Sequence, residues 1–326
     1  MTDAAQTETR RRRPLSTRLA AFALPAILVL FVLVFSVLKP EIFPTVRTLH
    51  TLLRTESVSA IVAIALLFPL VVGEFDVSVG SVLGLGAILV TGLPSLQGLP
   101  LGPAIAIALL ACAFVGLVNG LLVVKVGINA LVATLGMSVI VSGLVLWYTG
   151  GNVIYSDIPP SLTQLANMNF VGVPLPAIFL IVVAGLAWYT LDLTPLGRYL
   201  YAVGGSKEAA RLSGLNVERL TILAFVISGL LSGLAGVLQS AQLGSGNPNI
   251  GPPFLLPAFA AAFLGATAIR INTFNIPGTI IAVFTVATGI TGLQLLGVEF
   301  FVAPIFQGVA LIAAVAAARY LRRETV

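Results

Sequence analysis

Long apolar runs set the strongest limit on what this chain can fold into. They cover 19–38, 57–73, 79–93, 102–124, 128–148, 174–191, 220–241, about 254–270, 277–297 and 301–318, with short polar breaks between most of them. A helix that crosses a bilayer needs about 20 apolar residues, and most of these runs reach or approach that length. A helix satisfies its own backbone N–H and C=O groups, which lipid requires. The runs lack the alternation of a transmembrane barrel strand. Charge makes the same point. Asp, Glu, Lys and Arg are 9% of the 326 residues, against about a quarter in a soluble domain. So few charges cannot coat a soluble surface, which excludes a soluble enzyme, a nucleic-acid-binding domain and a disordered chain. The expectation is an all-α polytopic membrane protein of about ten transmembrane helices. The stretch 57–93 reads either as two spans or as one broken span with a re-entrant piece.

Basic residues set the orientation, because they collect on the cytoplasmic side. With an even number of spans and the N-terminus inside, 14 of the 17 Lys and Arg residues fall in the cytoplasm. They are Arg10, Arg11, Arg12, Arg13, Arg18, Lys125, Arg198, Lys207, Arg211, Arg219, Arg270, Arg319, Arg322 and Arg323; only Lys39, Arg47 and Arg54 fall outside. Both termini are therefore expected in the cytoplasm. Residues 1–18 form a basic tail, 19–318 the membrane domain and 319–326 a second tail. The first run is too long for the core of a signal peptide and no small-x-small cleavage site follows it, so it reads as an uncleaved anchor.

Residue counts remove several chemistries. Cys112 is the one cysteine and lies inside an apolar run, so it reads as a packing residue, with no intrachain disulfide or thiolate metal cluster. His50 is the one histidine, which rules out a multi-histidine metal site, and it reads as an interfacial polar residue. No G-x-x-x-x-G-K-[ST] phosphate loop is present. If ATP drives the machine, the ATPase lies on another chain, and this chain binds no cofactor of its own.

The longest internal loop, 192–219, carries the clearest local pattern. Ser206 is a helix N-cap, the residues from Lys207 to Leu212 favour helix, and Gly214 suits a left-handed stop. One short helix, 206–213, set off by Gly204 and Gly205, is expected on the cytoplasmic face. Spacing alone leaves two roles open, a helix resting on lipid headgroups and a peg inserted into a partner. A second polar feature interrupts 57–93 at Glu74 and Asp76. Three roles compete for Asp76: capping the helix that follows, lining a pathway, or facing solvent at the cytoplasmic interface. Ser78, Asn119, Asn129, Thr134, Ser138, Gln239 and Gln242 would be costly against lipid, so they should face other helices or a pathway. Phe259 and Trp147 read as packing residues or steric gates. Small residues at four-residue spacing, such as Gly116 with Gly120 and Gly229 with Gly233, read as close helix contacts.

Three stretches together resemble the permease subunits of bacterial ABC importers of the ribose and monosaccharide type. They are GEFDVSVGSVLGLGAILVTG, VNGLLVVKVGINALVATLGM and GRYLYAVGGSKEAARLSGLNVERL. They fall in the order expected of that family and extend over nearly all of the chain after residue 40. The resemblance implies that Glu208, Ala209, Ala210 and Gly214, the E-A-A-x-x-x-G pattern, form a coupling helix seated on an ATPase subunit. Gly204, Gly205, Lys207 and Arg211 belong to the same surface. It also implies a second permease protomer, a periplasmic or lipid-anchored sugar-binding protein, ATP on the partner subunit and a place in the bacterial inner membrane. Glu74, Asp76, Ser78, Asn119, Asn129, Thr134 and Phe259 are the candidate pathway residues.

The sequence departs from the family pattern in three places, the first being GEFD where the family has G-I-D, with Glu74 as an additional carboxylate. Pro257 stands where an acid is common, and 270–274 replaces a glycine-rich turn. Two rival functions remain. One is an ABC permease for a nucleoside, a branched-chain amino acid or an autoinducer. The other is a proton-coupled secondary transporter using Glu74 and Asp76, which leaves the Glu208 pattern without a role.

Overall fold

A computed structural model describes residues 15–323. The arginines at 10–13 lie outside the described residues. The described residues are almost entirely helical and include ten apolar helices. Eight of these are long and apolar enough to cross a membrane: Ala21–Leu38 within α1 (Leu15–Leu38), α2 (Val46–Val71), α3 (Val79–Gln97), α4 with its π-helical extension (Leu101–Val126), α5 (Ala130–Thr149), α7 with a similar extension (Leu175–Leu193), α10 (Val217–Leu243) and α12 (Ile276–Leu295). Two apolar helices are shorter, Pro252–Gly265, which contains α11 (Leu255–Gly265), and Val302–Ala313 within α13 (Val302–Arg323). Of the ten expected spans, eight therefore reach spanning length among the described residues. The run at 254–270 falls short because its helix stops at Gly265. The chain then turns through 266–274, held by the Asn275 side chain, whose amide donates to the carbonyls of Ala268 at 3.1 Å and Thr273 at 2.9 Å.

The stretch 57–93 forms two separate helices. α2 begins 11 positions before its apolar run, capped by Thr45, whose hydroxyl accepts from the Thr48 N–H at 3.2 Å. It ends at Val71, and Gly73 just beyond adopts a left-handed φ of 81°. The external stretch after α5 contains a short helix, α6 (Pro160–Asn167), and a two-residue hairpin, β1 (Asn169–Phe170) with β2 (Val173–Pro174). The internal loop holds two helices rather than the one expected, α8 (Pro195–Gly205) and α9 (Lys207–Leu212). α8 starts at a Thr194 cap with proline in the first turn, a strong start signal.

α10 is the central helix and packs on α4, α3 and α2. The α4–α10 crossing is nearly backbone on backbone. A Cβ on Gly116 would lie 2.2 Å from the Phe225 carbonyl oxygen, and one on Gly229 would lie 2.3 Å from that of Cys112. Glycine at both positions is what permits the approach, and close approach is what holds helices together where lipid removes the hydrophobic drive. Cys112 is buried in this contact. The inner half of α2, residues 60–67, has no exposed surface at all, being enclosed by α7, α10, α11 and α12.

Candidate coupling surface and solute pathway

α9 is a single helical turn and a half, yet each end is closed. The Ser206 hydroxyl accepts from the Ala209 N–H at 3.2 Å, and Gly214 takes a left-handed φ of 82°. Glu208 sits in the first turn and Arg211 in the last, each matched to the partial charge of its end. Ala210 alone is buried, whereas Lys207, Glu208, Ala209, Arg211 and Leu212 are exposed. Leu212, an apolar side chain, is 85% exposed. The helix is therefore pinned by one alanine and presents the rest of its surface.

Its base is tied to the α2–α3 turn. Lys207 donates to the Glu74 carboxylate, which is largely shielded from solvent. Beside this pair the end of α8 touches the end of α2: a Cβ on Gly204 would fall 1.9 Å from the Val71 carbonyl oxygen. Gly205 has open space around it. Glu74 thus meets the surface of α9, and does not join the other candidate pathway residues.

Asp76, Ser78, Asn119 and Thr134 form a polar knot behind the turn. Asp76 is 1% exposed. One of its carboxylate oxygens accepts from the Ser78 N–H at 3.0 Å and the Ser78 hydroxyl at 2.6 Å. The other accepts from the Ser228 hydroxyl at 2.8 Å, on α10. The Asn119 amide donates to the Ser78 hydroxyl at 2.8 Å, on α4. The Thr134 hydroxyl accepts from the Val77 N–H at 3.1 Å and donates to the Ala130 carbonyl at 2.8 Å. One short turn thereby joins α3, α4, α5 and α10. Asn129 stands apart as the cap of α5, accepting from the Leu131 N–H at 3.0 Å. Phe259 lies in an aromatic group, its ring centroid 6.3 Å from that of Phe75 and 6.4 Å from that of Phe263. Trp147 points away from the helix bundle, 80% exposed.

Two further ion pairs brace the basic end. Lys125 meets Glu218 at 2.5 Å, joining the end of α4 to the start of α10. Arg270 meets Asp192, joining the turn after α11 to the end of α7. Nearby, the Tyr201 hydroxyl donates to the Phe274 carbonyl at 2.6 Å. Burial, with the Asp192 carboxylate close by, pushes the Tyr201 phenol up to about 12, so it stays a donor at any physiological pH.

A large cavity lies at the opposite end of the molecule. It measures about 850 Å³ and is lined by the outer half of α2, the start of α11, the last three turns of α12 and Gln307 of α13. Glu56, Thr51, Thr55 and Ser59 line its α2 wall, with Thr291 and Gln294 opposite. None of the seven candidate pathway residues reaches it; Pro257 does. The apolar run that began at 57 concealed this wall, because Arg47, His50, Arg54 and Glu56 interrupt hydropathy over the first turns of α2. A usable signal was present in the spacing of Thr48, Thr51, Thr55 and Ser59, a hydroxyl stripe along one helix face.

Fold and site together define a multi-pass helical membrane protein with a polar helix presented at its basic end. The chain belongs to the family described as branched-chain amino acid transport system / permease component, whose model matches residues 48–315. It is 32% identical over 297 residues to the ribose import permease protein RbsC of Haemophilus influenzae, covering 90% of this chain and 91% of that one. It is 35% identical over 296 residues to the RbsC of Escherichia coli K12, with the same coverage. An autoinducer 2 import system permease protein, LsrD of Photorhabdus laumondii, is 33% identical over 302 residues, covering 90% of this chain and 89% of that one. No solved structure matches the chain.

Proposed function

We propose that this permease is the membrane subunit of an ATP-driven importer that moves a monosaccharide such as ribose across the bacterial inner membrane. A substrate-binding protein, periplasmic or lipid-anchored, delivers the sugar from outside. A second permease protomer completes the pathway. ATP is bound and hydrolysed on a partner subunit at the cytoplasmic face, and the permease performs no covalent chemistry.

The observation that carries this reading is the presentation of α9. A helix of six residues has no stability of its own, yet this one is capped, pinned at Ala210 and left with Glu208, Ala209, Arg211 and Leu212 facing outward. That surface is suited to a groove on a partner. A displacement of α9 has a short physical route inward. It passes through Lys207 to Glu74 and through Gly204 to the end of α2. From the same turn, Asp76 and Ser78 reach α3, α4 and α10. Rocking of the helices around a central pathway follows from movement of that one turn. The similarity to ribose permeases supports the sugar; the similarity to an autoinducer permease makes that solute the closest competitor.

Reconstitution tests the reading. The chain, purified with its ATPase and placed in vesicles with the binding protein, should accumulate labelled ribose only when ATP is on the ATPase side. Accumulation driven by a proton gradient without ATP would contradict it and favour a secondary transporter.

A further inference from the structure

The cavity at the outer end has no role in the coupling scheme, and its lining is specific. Its lining runs from Glu41 and Thr45 at the mouth to Ser59 and Ala261 at the floor, about 13 residues along α2 from Val46 and so roughly 20 Å along that helix at 1.5 Å per residue. Below the floor α2 is sealed, since residues 60–67 have no exposed surface. The space is therefore closed toward the basic end and open along the outer half of α2, where Thr51 and Thr55 are exposed. Its volume lies within the range of small-molecule sites, roughly 300–1,000 Å³.

Glu56 is the one acid deep in this space. Among the described residues no cation pairs with it, and Ser59 lies one turn further along the same helix. Arg47 is at the mouth, nine positions earlier and so about 13 Å away along the helix axis. Arg54 turns elsewhere and donates to Asn167 on α6. An acid at membrane depth is costly and calls for a functional explanation. The groups around it are uncharged and of both hydrogen-bonding senses: the hydroxyls of Thr51, Thr55 and Thr291 and the amide of Gln294. A carboxylate accepts two neighbouring hydroxyls at once, as it does a two-pronged donor. A ring of hydroxyls and an amide completes the remaining donors and acceptors of a sugar. A zwitterionic amino acid would instead bring its carboxylate beside Glu56 with only the distant Arg47 to balance it. A quaternary ammonium ion would leave the hydroxyls unmatched.

We infer that this cavity is the outward solute site of the permease, taking a neutral polyhydroxylated molecule of monosaccharide size, with Glu56 accepting a pair of its hydroxyls. The inference rests on the importer reading above and adds the place where the solute is held. Within this chain its walls lie on α2, α11 and α12. Pro257 belongs to its wall, which makes the departure from the family pattern a departure in the solute site.

Thiol protection in the full transporter tests it. Cys112 is the only cysteine and is buried, so an introduced thiol is the one accessible to a membrane-impermeant methanethiosulfonate. Ser59→Cys and Thr291→Cys should both react from outside. Ribose at ten times its half-saturating concentration should slow that reaction about tenfold, since roughly one site in ten then stays free. Asn152→Cys, on the external loop, should react at one rate with and without sugar. Glu56→Gln should raise the ribose concentration that half-protects Thr291→Cys at least about tenfold, as expected for loss of a charged hydrogen bond, in a complex that still co-purifies with the ATPase. Labelling at 59 and 291 that is absent, or unaffected by ribose while the unsubstituted transporter imports ribose, overturns the site. Protection by leucine or choline in place of ribose overturns the polyol assignment. A transporter that imports no monosaccharide at all removes the importer reading first, and is recognised without any cavity variant.

Discussion

The α4–α10 crossing and the loop that carries α9 are held in opposite ways. At the crossing, Gly116 and Gly229 let two backbones touch, with no charge involved and no room for a single carbon more. In the loop, one buried alanine, a serine cap, a glycine stop and the Lys207–Glu74 pair hold a helix whose surface is mostly free. The first arrangement has one geometry and resists displacement. The second is fastened at a few points, each worth about 1 kcal/mol or less, and those points lead directly into the α2–α3 turn. A machine driven from one end needs both: a rigid body to move, and a lightly fastened contact through which to move it.

That contrast is open to test, from the largest effect to the smallest. Gly229→Leu should be the most damaging. Its side chain has no space beside the Cys112 carbonyl, and overpacking of this kind costs roughly 1–3 kcal/mol or more. The yield of monodisperse protein in mild detergent should collapse, whereas Gly205→Leu, in open space at the end of α8, should be recovered normally. Comparable loss at both positions would erase the distinction between the two regions.

Glu74→Lys should leave the chain folded and lower ATP-driven uptake severalfold, by placing two ammonium groups at the base of α9. Adding Lys207→Glu should restore most of the loss. Half-exposed pairs contribute only about 0.2–1 kcal/mol to stability, so the readout is uptake at equal protein level. Failure of the reversal to restore uptake would mean that Glu74 acts in some way other than through Lys207.

Asp76 gives the finest discrimination. Asp76→Asn keeps an acceptor for Ser78 and offers a donor that the Ser228 hydroxyl can accept, so uptake and melting temperature should change little. Asp76→Leu leaves the hydroxyls of Ser78 and Ser228 buried without that partner, a penalty of about 1–3 kcal/mol for each unsatisfied group, and should lower the melting temperature by several degrees. A severe transport loss in Asp76→Asn with the fold intact would show that the charge itself is used.

Much of the architecture could be read from the chain, and the misses share a cause. Hydropathy locates the apolar parts of helices, so it marks α2 only from 57 and misses the start at Val46, where polar residues line a cavity. α8 is missed from sequence although Thr194 and Pro195 form a helix start, because its glycines at 197, 204 and 205 weaken the helical pattern beside the stronger cap at Ser206. The run at 254–270 looked long enough to span, but the Asn275 amide fastens the chain into turns from 266 onward, a contact that no periodicity reports. α9 and its caps were legible because a cap, a short helical run and a glycine stop are all local signals. The partner of Asp76, Ser228, lies 152 positions away, and only the folded chain brings them together. Glu74 and Asp76 look like a pair two residues apart, yet one faces α9 and the other is buried toward α10.

The central claim is that α9 is the contact through which an ATPase drives this permease. The most direct measurement is co-purification of the tagged chain from mild detergent, with Glu208→Lys alongside and mass spectrometry of the associated proteins. Recovery of an ABC-type ATPase with the unsubstituted chain, and its loss with Glu208→Lys at equal permease yield and thermal stability, is the predicted result. Equal recovery of the ATPase with both chains, or none with either where ribose permease complexes stay intact, would contradict it.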